Sequence, residues 1–231
     1  MTQARTDDPS AYLGATWFID TEHPRVREFA ERVSEGADTG VRVAQQLFVA
    51  VRDGLRYSPY AARVNDPDNF RASSVLTLPA TWCVPKAVVL TAVARAQQIP
   101  ARIGFADVKN HLSSEKLSSL MGTDLFLWHG YTELFVEGRW TKVTPAFNRA
   151  LCARFGVEPI EFDGLHDALM HAFDGGGTRF MEYVNDRGTY PDLPYERLTQ
   201  DLRSHYSHML SILQDDGPIG ADDALMGHPN A

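Results

Sequence analysis

Cys83 lies where a cysteine would be chemically activated. It precedes an apolar, helix-patterned segment, residues 87–98, within the run Thr-Trp-Cys-Val-Pro-Lys. Proline is tolerated in the first turn of a helix, where its missing N–H is no loss, so Pro85 marks the helix start. At that position unpaired backbone N–H groups and the helix dipole favour the thiolate, which is the nucleophilic form of cysteine. Combined with a histidine, Cys83 is a candidate nucleophile for acyl transfer.

His129 supplies the histidine, on one arm of a predicted β-hairpin. Two strand-like segments rich in Val, Phe, Leu and Trp flank Glu137-Gly138, which is typical of a two-residue hairpin turn. In that register Thr144 and Asn148 are diagonal neighbours of His129 on one face of the sheet, so either side chain could orient the imidazole. A three-residue loop would turn Thr144 to the opposite face.

The elements that must position these residues follow from hydrophobic periodicity and from Gly and Pro. Helices are expected over 24–35, 41–55, 113–121 and 197–213, strands over 101–108, 125–136 and 139–144, and less regular stretches over 57–79 and 157–195. Residues 109–124 form an excursion between two strands just ahead of His129. We expect this excursion to border the cleft as a lid or specificity element.

Composition limits the class of protein. The 231 residues are 44% hydrophobic and carry a formal charge of −8, which argues against nucleic acid or an anionic membrane as the main partner. One domain over residues 1–214 is the simplest organisation, with 215–231 expected to be a disordered tail. No signal peptide or membrane span is recognised, so a cytoplasmic location is expected, with both cysteines as free thiols. The sequence leaves the oligomeric state open.

The same residues show a resemblance to a known family. Cys-Val-Pro-Lys-Ala at 83–87 leading to Ile-Pro-Ala-Arg at 99–102, His-Gly-Tyr-Thr-Glu at 129–133 and Gly-Arg-Trp-Thr-Lys-Val-Thr-Pro at 138–145 resemble three blocks of the transglutaminase-like (papain-like) superfamily, in its small bacterial members. The resemblance runs from about Asp20 to Asn148. It implies an α+β fold in which N-terminal helices, including the cysteine helix, pack on an antiparallel β-sheet. It also implies catalysis by Cys83 and His129 without a cofactor.

Thr144 departs from the family pattern, which has an aspartate there. A threonine hydroxyl can accept the ring N–H but cannot stabilise an imidazolium by charge, and an asparagine fills this place in papain-type enzymes. Asn148, or an acidic residue from elsewhere such as Asp163, is an alternative third member.

The favoured interpretation is cysteine-dependent acyl transfer on a peptide or protein amide, either to water (protease or amidase) or to an amine (transglutaminase). The alternative is an inactive transglutaminase-like fold that serves as a peptide- or protein-binding module. A metal-dependent hydrolase is disfavoured, because His205 and His208 have helical spacing but lack a third ligand. Cys152 is interpreted as a small buried hydrophobe and Lys86 as a residue that caps the helix or is solvated on its surface, while Trp82 packs or borders the cleft.

Overall fold

The computed structural model describes residues 8–111, 113–171, 177 and 180–215, and of residues 214 and 215 it describes the backbone only. Its α-helices are α1 (Pro24–Val33), α2 (Gly40–Gly54), α3 (Ala72–Val75), α4 (Cys83–Ala96), α5 (Glu115–Met121), α6 (Arg149–Phe155), α7 (Tyr195–His205) and α8 (Ser207–Asp215). Its strands are β1 (Ala101–Asn110), β2 (Leu125–Val136), β3 (Arg139–Val143) and β4 (Met181–Tyr190). Short 3-10 turns lie at Pro9–Tyr12, Pro59–Ala61 and Pro67–Phe70.

The four strands form one antiparallel sheet in the order β3-β2-β1-β4. Helix α4 packs on β1 and β2, and α1, α2 and α3 pack against α4. Mixed helices and an antiparallel sheet therefore confirm the predicted α+β class, with the cysteine helix on the sheet.

Helix α4 is the centre of the core. Every residue from Cys83 to Arg95 is buried, as expected for a helix that is apolar all round. The polar groups on it are satisfied internally. Arg95, for example, donates to the backbone carbonyls of Gly14, Ala101 and Pro191. The site cysteine is thus held on the most buried element of the molecule.

The hairpin between β2 and β3 has the predicted register. Val136 pairs with Arg139 across a two-residue loop, and both loop residues have positive φ (48° at Glu137 and 76° at Gly138), as a type I′ turn requires. The ladder ends at the pair Thr132–Val143, so the backbones diverge before Thr144.

Two predicted elements differ in the structure. Strand β4 falls in the stretch predicted to be less regular, because it is a mostly exposed edge strand with two register shifts against β1 and so lacks a clear alternation of apolar and polar residues.

The predicted last helix is divided into α7 and α8 at Tyr206. The phenol of that residue donates to the carbonyl of Leu125 and accepts the N–H of Leu127, which fastens this bend to the start of β2.

The predicted tail, residues 215–231, lies outside the described residues except for Asp215, which ends α8. The single-domain boundary at 214 stays a prediction. Among the helices of the described chain, none combines the length and the apolar character needed to cross a membrane.

Candidate active site

Cys83 is the first residue of α4, with Trp82 in extended conformation before it and Pro85 in the first turn. Backbone N–H groups near the sulfur lower the pKa of the thiol, that of Gly130 on β2 most, followed by those of Val84 and Cys83 itself. The sulfur is therefore held between the start of the cysteine helix and the strand that carries His129.

Gly130 is what allows this close approach. A Cβ at this position would lie 2.9 Å from the Cα of Val84 and 3.3 Å from the carbonyl oxygen of Cys83. Contacts of that kind involve backbone, which cannot move aside as a flexible side chain can. A glycine inside a strand often marks close approach of another backbone, so its position directly after His129 was a signal available in the sequence.

The charge state of Cys83 differs from the prediction. The backbone N–H groups and the charge of Lys86 lower the pKa of the thiol, but burial outweighs them and raises it to about 11. The prediction of a thiolate was wrong for this buried site, because the helix start stabilises a thiolate less than removal from water destabilises it. Cys83 rests as a neutral thiol.

A β-bulge sets the position of His129. The register of β1 and β2 shifts between Ala106 and Val108, and Trp128 adopts a left-handed conformation with φ of 58°. The N–H of Trp128 donates to the buried carboxylate of Asp107, and its indole N–H donates to Asp201. Bulges next to active sites commonly redirect a side chain, and this one directly precedes the histidine.

An ion-pair network holds this bulge. Arg187 on β4 joins the two carboxylates, donating to Asp107 and to Asp201, while Asn185 donates to Asp107. The guanidinium also lies over the ring of Trp128, with 4.5 Å between its carbon and the ring centroid. Sequence analysis missed this network, because strand β4, which supplies Arg187 and Asn185, was not predicted.

The structure brings His129 and Thr144 together. The Nε2 of the imidazole lies 3.1 Å from the Thr144 hydroxyl oxygen, and that hydroxyl donates to the Gly130 carbonyl at 3.4 Å. Since the hydroxyl has one proton, it accepts from Nε2–H, which leaves the lone pair on Nδ1. Burial lowers the pKa of His129 to about 4, so the ring is neutral at physiological pH.

The other two candidate orienting residues lie elsewhere. Asn148 precedes α6, and its side-chain oxygen accepts the backbone N–H of Tyr57 at 3.2 Å. Asp163 is exposed and binds His166, with 2.6 Å between Oδ2 and Nδ1. Of the three candidates, Thr144 is the one hydrogen-bonded to His129.

Cys83 and His129 line one cavity of about 70 Å³. Tyr57, Trp82 and Phe147 border it near the cysteine, and the remaining lining residues are mostly aliphatic and aromatic. Both expectations for Trp82 are met, since it is buried and borders the cleft. Met121, at the end of the predicted excursion, also lines the cavity.

Of the two predictions for Lys86, a cap or a solvated residue, the solvated one is wrong. Its side chain is fully buried and donates to the carbonyls of Arg52, Leu55 and Ala146 at 2.7, 2.7 and 2.8 Å. Burial lowers the pKa of Lys86 to about 7, yet three acceptors match the three N–H donors of the ammonium form, so we assign it as protonated. It connects the end of α2 and the segment after Thr144 to the cysteine helix. A single lysine in an otherwise apolar helix start was the available signal.

Cys152 is buried as predicted, and burial raises the pKa of its thiol to about 11. Over the part of the chain that the structure describes, no three His, Cys, Asp or Glu side chains form a group that could hold a metal ion.

Comparison with known proteins places the chain in a family. The model of the transglutaminase-like superfamily matches residues 27–145, about half of the chain, and this match includes Cys83, His129 and Thr144. The chain belongs to the transglutaminase-like superfamily. This membership confirms the resemblance that the three sequence blocks indicated.

Other comparisons add little to the family assignment. A search of curated proteins finds no match. Among solved structures, a candidate cysteine protease from Cytophaga hutchinsonii is 14% identical with a TM-score of 0.44, and the alignment covers 78% of this chain. The chain spans 53% of that protein's length. A likeness this distant carries no argument about activity.

Proposed function

We propose that this member of the transglutaminase-like superfamily is a cysteine-dependent acyl-transfer enzyme that acts on an amide bond of a peptide or protein. The observation that carries the proposal is one cavity lined by both Cys83 and His129, with Thr144 bound to Nε2 of the imidazole. A thiol, a base and a group that orients the base are the parts that nucleophilic acyl transfer requires.

The reaction starts from two neutral groups. As the Cys83 sulfur attacks the amide carbonyl carbon, Nδ1 of His129 takes the thiol proton, and the carbonyl oxygen becomes an oxyanion. When the C–N bond breaks, the imidazolium returns that proton to the departing amine, leaving a thioester on Cys83. Water or a second amine then attacks the thioester, giving its proton to His129, and the thiol is regenerated.

Two donors are suited to the oxyanion. One is the backbone N–H of Cys83, at the positive end of α4. The other is the phenol of Tyr57, because it lines the same cavity as Cys83. The second phenol on the cavity, that of Tyr206, is occupied by Leu125 and Leu127.

Thr144 positions the imidazole without supplying charge. Its hydroxyl fixes the tautomer in which Nδ1 is the base, but an imidazolium formed during the reaction meets no carboxylate through Nε2. We therefore expect slower chemistry than in a triad with an acid at this position.

A binding module is the second candidate. It is favoured by the same threonine and by the charge states, since burial keeps Cys83 as a thiol and His129 as a neutral ring. A site of this kind would hold a peptide without reacting with it.

The test is whether a thioester forms on Cys83. Intact-protein mass spectrometry after mixing with a p-nitrophenyl ester should show one added acyl group, which peptide mapping assigns to that cysteine. Cys83→Ala should abolish it, whereas Cys152→Ala should not, although both thiols are buried with a pKa of about 11. Peptide binding without acylation would favour the binding module. Adding a primary amine then distinguishes transfer to amines from hydrolysis.

A further inference from the structure

The cavity that Cys83 and His129 line is bordered mostly by apolar side chains. Leu127 on β2 forms one side, Met121 at the end of α5 another, and Leu202, Met209 and Leu210 on the C-terminal helices a third. All five are buried, with at most 7% of each residue exposed. The cavity that contains the nucleophile is therefore lined largely by hydrocarbon and thioether groups.

Polar groups are few on these walls. Of the described residues that line the cavity, none carries a formal charge at neutral pH; the polar ones are the site pair, Tyr57, Tyr206 and Asn110. A charged or amide-bearing chain that entered would lose its hydration without finding an ionic partner, which costs several kcal/mol. An apolar chain loses nothing comparable and gains from leaving water.

The acyl group is the part of a substrate that this space suits. It stays attached to Cys83 until the thioester is resolved, whereas the leaving group must depart to solvent. An apolar cavity that the sulfur itself lines suits the part that stays.

We propose that the acyl group transferred through Cys83 carries an apolar chain of about four to six carbons, in the size range of a leucine or methionine side chain. The inference rests on the proposed acyl transfer and specifies its substrate class. The short chain length is inferred from the small size of the cavity, about 70 Å³, and the ester series below measures it.

The experiment uses p-nitrophenyl esters with a constant leaving group and acyl chains of two, four, six and eight carbons, together with the glutaryl ester as a charged chain of five carbons. Sulfur attacks the ester carbonyl, the C–O bond breaks, p-nitrophenolate is released, and the thiol proton passes through His129 to solvent. Water then cleaves the thioester. The rate of p-nitrophenolate release gives kcat/KM for each ester.

We expect kcat/KM to rise about fourfold for each added methylene up to about six carbons and then to level off. The glutaryl ester should react at least tenfold more slowly than the hexanoyl ester. Equal kcat/KM across the series, or a preference for glutaryl, would overturn the apolar assignment. Failure of every ester to acylate Cys83 would instead contradict the proposed acyl transfer, so the two failures are distinguishable.

A matched pair of variants locates the chain in the cavity. Met209→Ala removes three side-chain atoms from the wall and should move the optimum to longer chains by about two carbons. Met170→Ala is the control, because Met170 is equally buried (6% exposed for both) but lines a separate cavity. It should leave the optimum unchanged. Circular dichroism and the melting temperature should first show that Met209→Ala is folded as well as Met170→Ala. If the optimum chain length of Met209→Ala is then the same as that of the wild type, the acyl chain binds outside this cavity.

Discussion

Acidification should destabilise this protein through His129. The ring is 5% exposed, and burial lowers the pKa of His129 from 6.5 to about 4. In the unfolded chain the same imidazole regains its ordinary pKa, so acid favours the unfolded state. The stability that the neutral ring provides is complete above pH 6.5 and is lost as the pH falls through about 4.

The size of the effect follows from linkage between protonation and folding. With pKa values of about 6.5 unfolded and about 4 folded, His129 alone lowers the free energy of unfolding by about 2 kcal/mol at pH 5 and about 3 kcal/mol at pH 4. That is a substantial part of the roughly 5–15 kcal/mol that stabilises a typical domain.

Urea unfolding at pH 7, 5 and 4 measures this loss, and His129→Gln isolates it. Glutamine can still offer an N–H to Thr144 but does not titrate, so its variant retains every other acid effect. The free energy of unfolding of the wild type should fall about 3 kcal/mol more than that of the variant between pH 7 and pH 4. Parallel pH profiles, within about 0.5 kcal/mol, would refute the assignment of a buried neutral imidazole.

Three substitutions test other contacts of the site. Thr144→Asp should raise the pKa of the His129 imidazole by about 1–3 units, measured by NMR titration, and should increase the acylation rate at least tenfold. Thr144→Asn, which has a similar shape but no charge, should change neither the pKa nor the rate. Lys86→Met leaves three buried carbonyls without their donor and should lower the free energy of unfolding in urea by about 3 kcal/mol or more, while exposed Lys116→Met should change it by less than about 0.5 kcal/mol. Gly130→Ala should cost about 1–3 kcal/mol and abolish acylation, because the strand must withdraw from the cysteine helix; Gly54→Ala, where a Cβ meets no atom within 4 Å, is the control.

The parts of the fold that local rules specify were predictable from the sequence. Pro85 in a first turn located the start of the cysteine helix, and Glu137-Gly138 fixed the hairpin register because a type I′ turn needs positive φ at both positions. The hairpin then brought Thr144 to His129, as expected. The helix start and the hairpin turn depend on contacts within a few residues along the chain, and the Thr144 hydroxyl reaches His129 just beyond the last pair of the ladder.

What the sequence did not provide depends on burial and on distant contacts. Whether Cys83 ionises is decided by how much water the completed fold removes from it, and no local pattern reports that amount. Lys86 appeared solvated because its three acceptors come from two distant segments. Strand β4 is polar and lies at an edge, so its place in the sheet comes from pairing with β1 rather than from its own residues.

The shielding of Cys83 has a practical consequence for following the folding of this protein. In the native state the sulfur is nearly inaccessible and protonated, whereas in an opened chain it becomes an ordinary cysteine with a pKa near 8.5. In the Cys152→Ala variant, the doubly anionic thiol dye DTNB, which the uncharged walls of the cavity disfavour, will therefore label Cys83 in proportion to how often the cysteine helix separates from the sheet. Labelling kinetics would report local opening of the core, and fast labelling should not be mistaken for a reactive nucleophile.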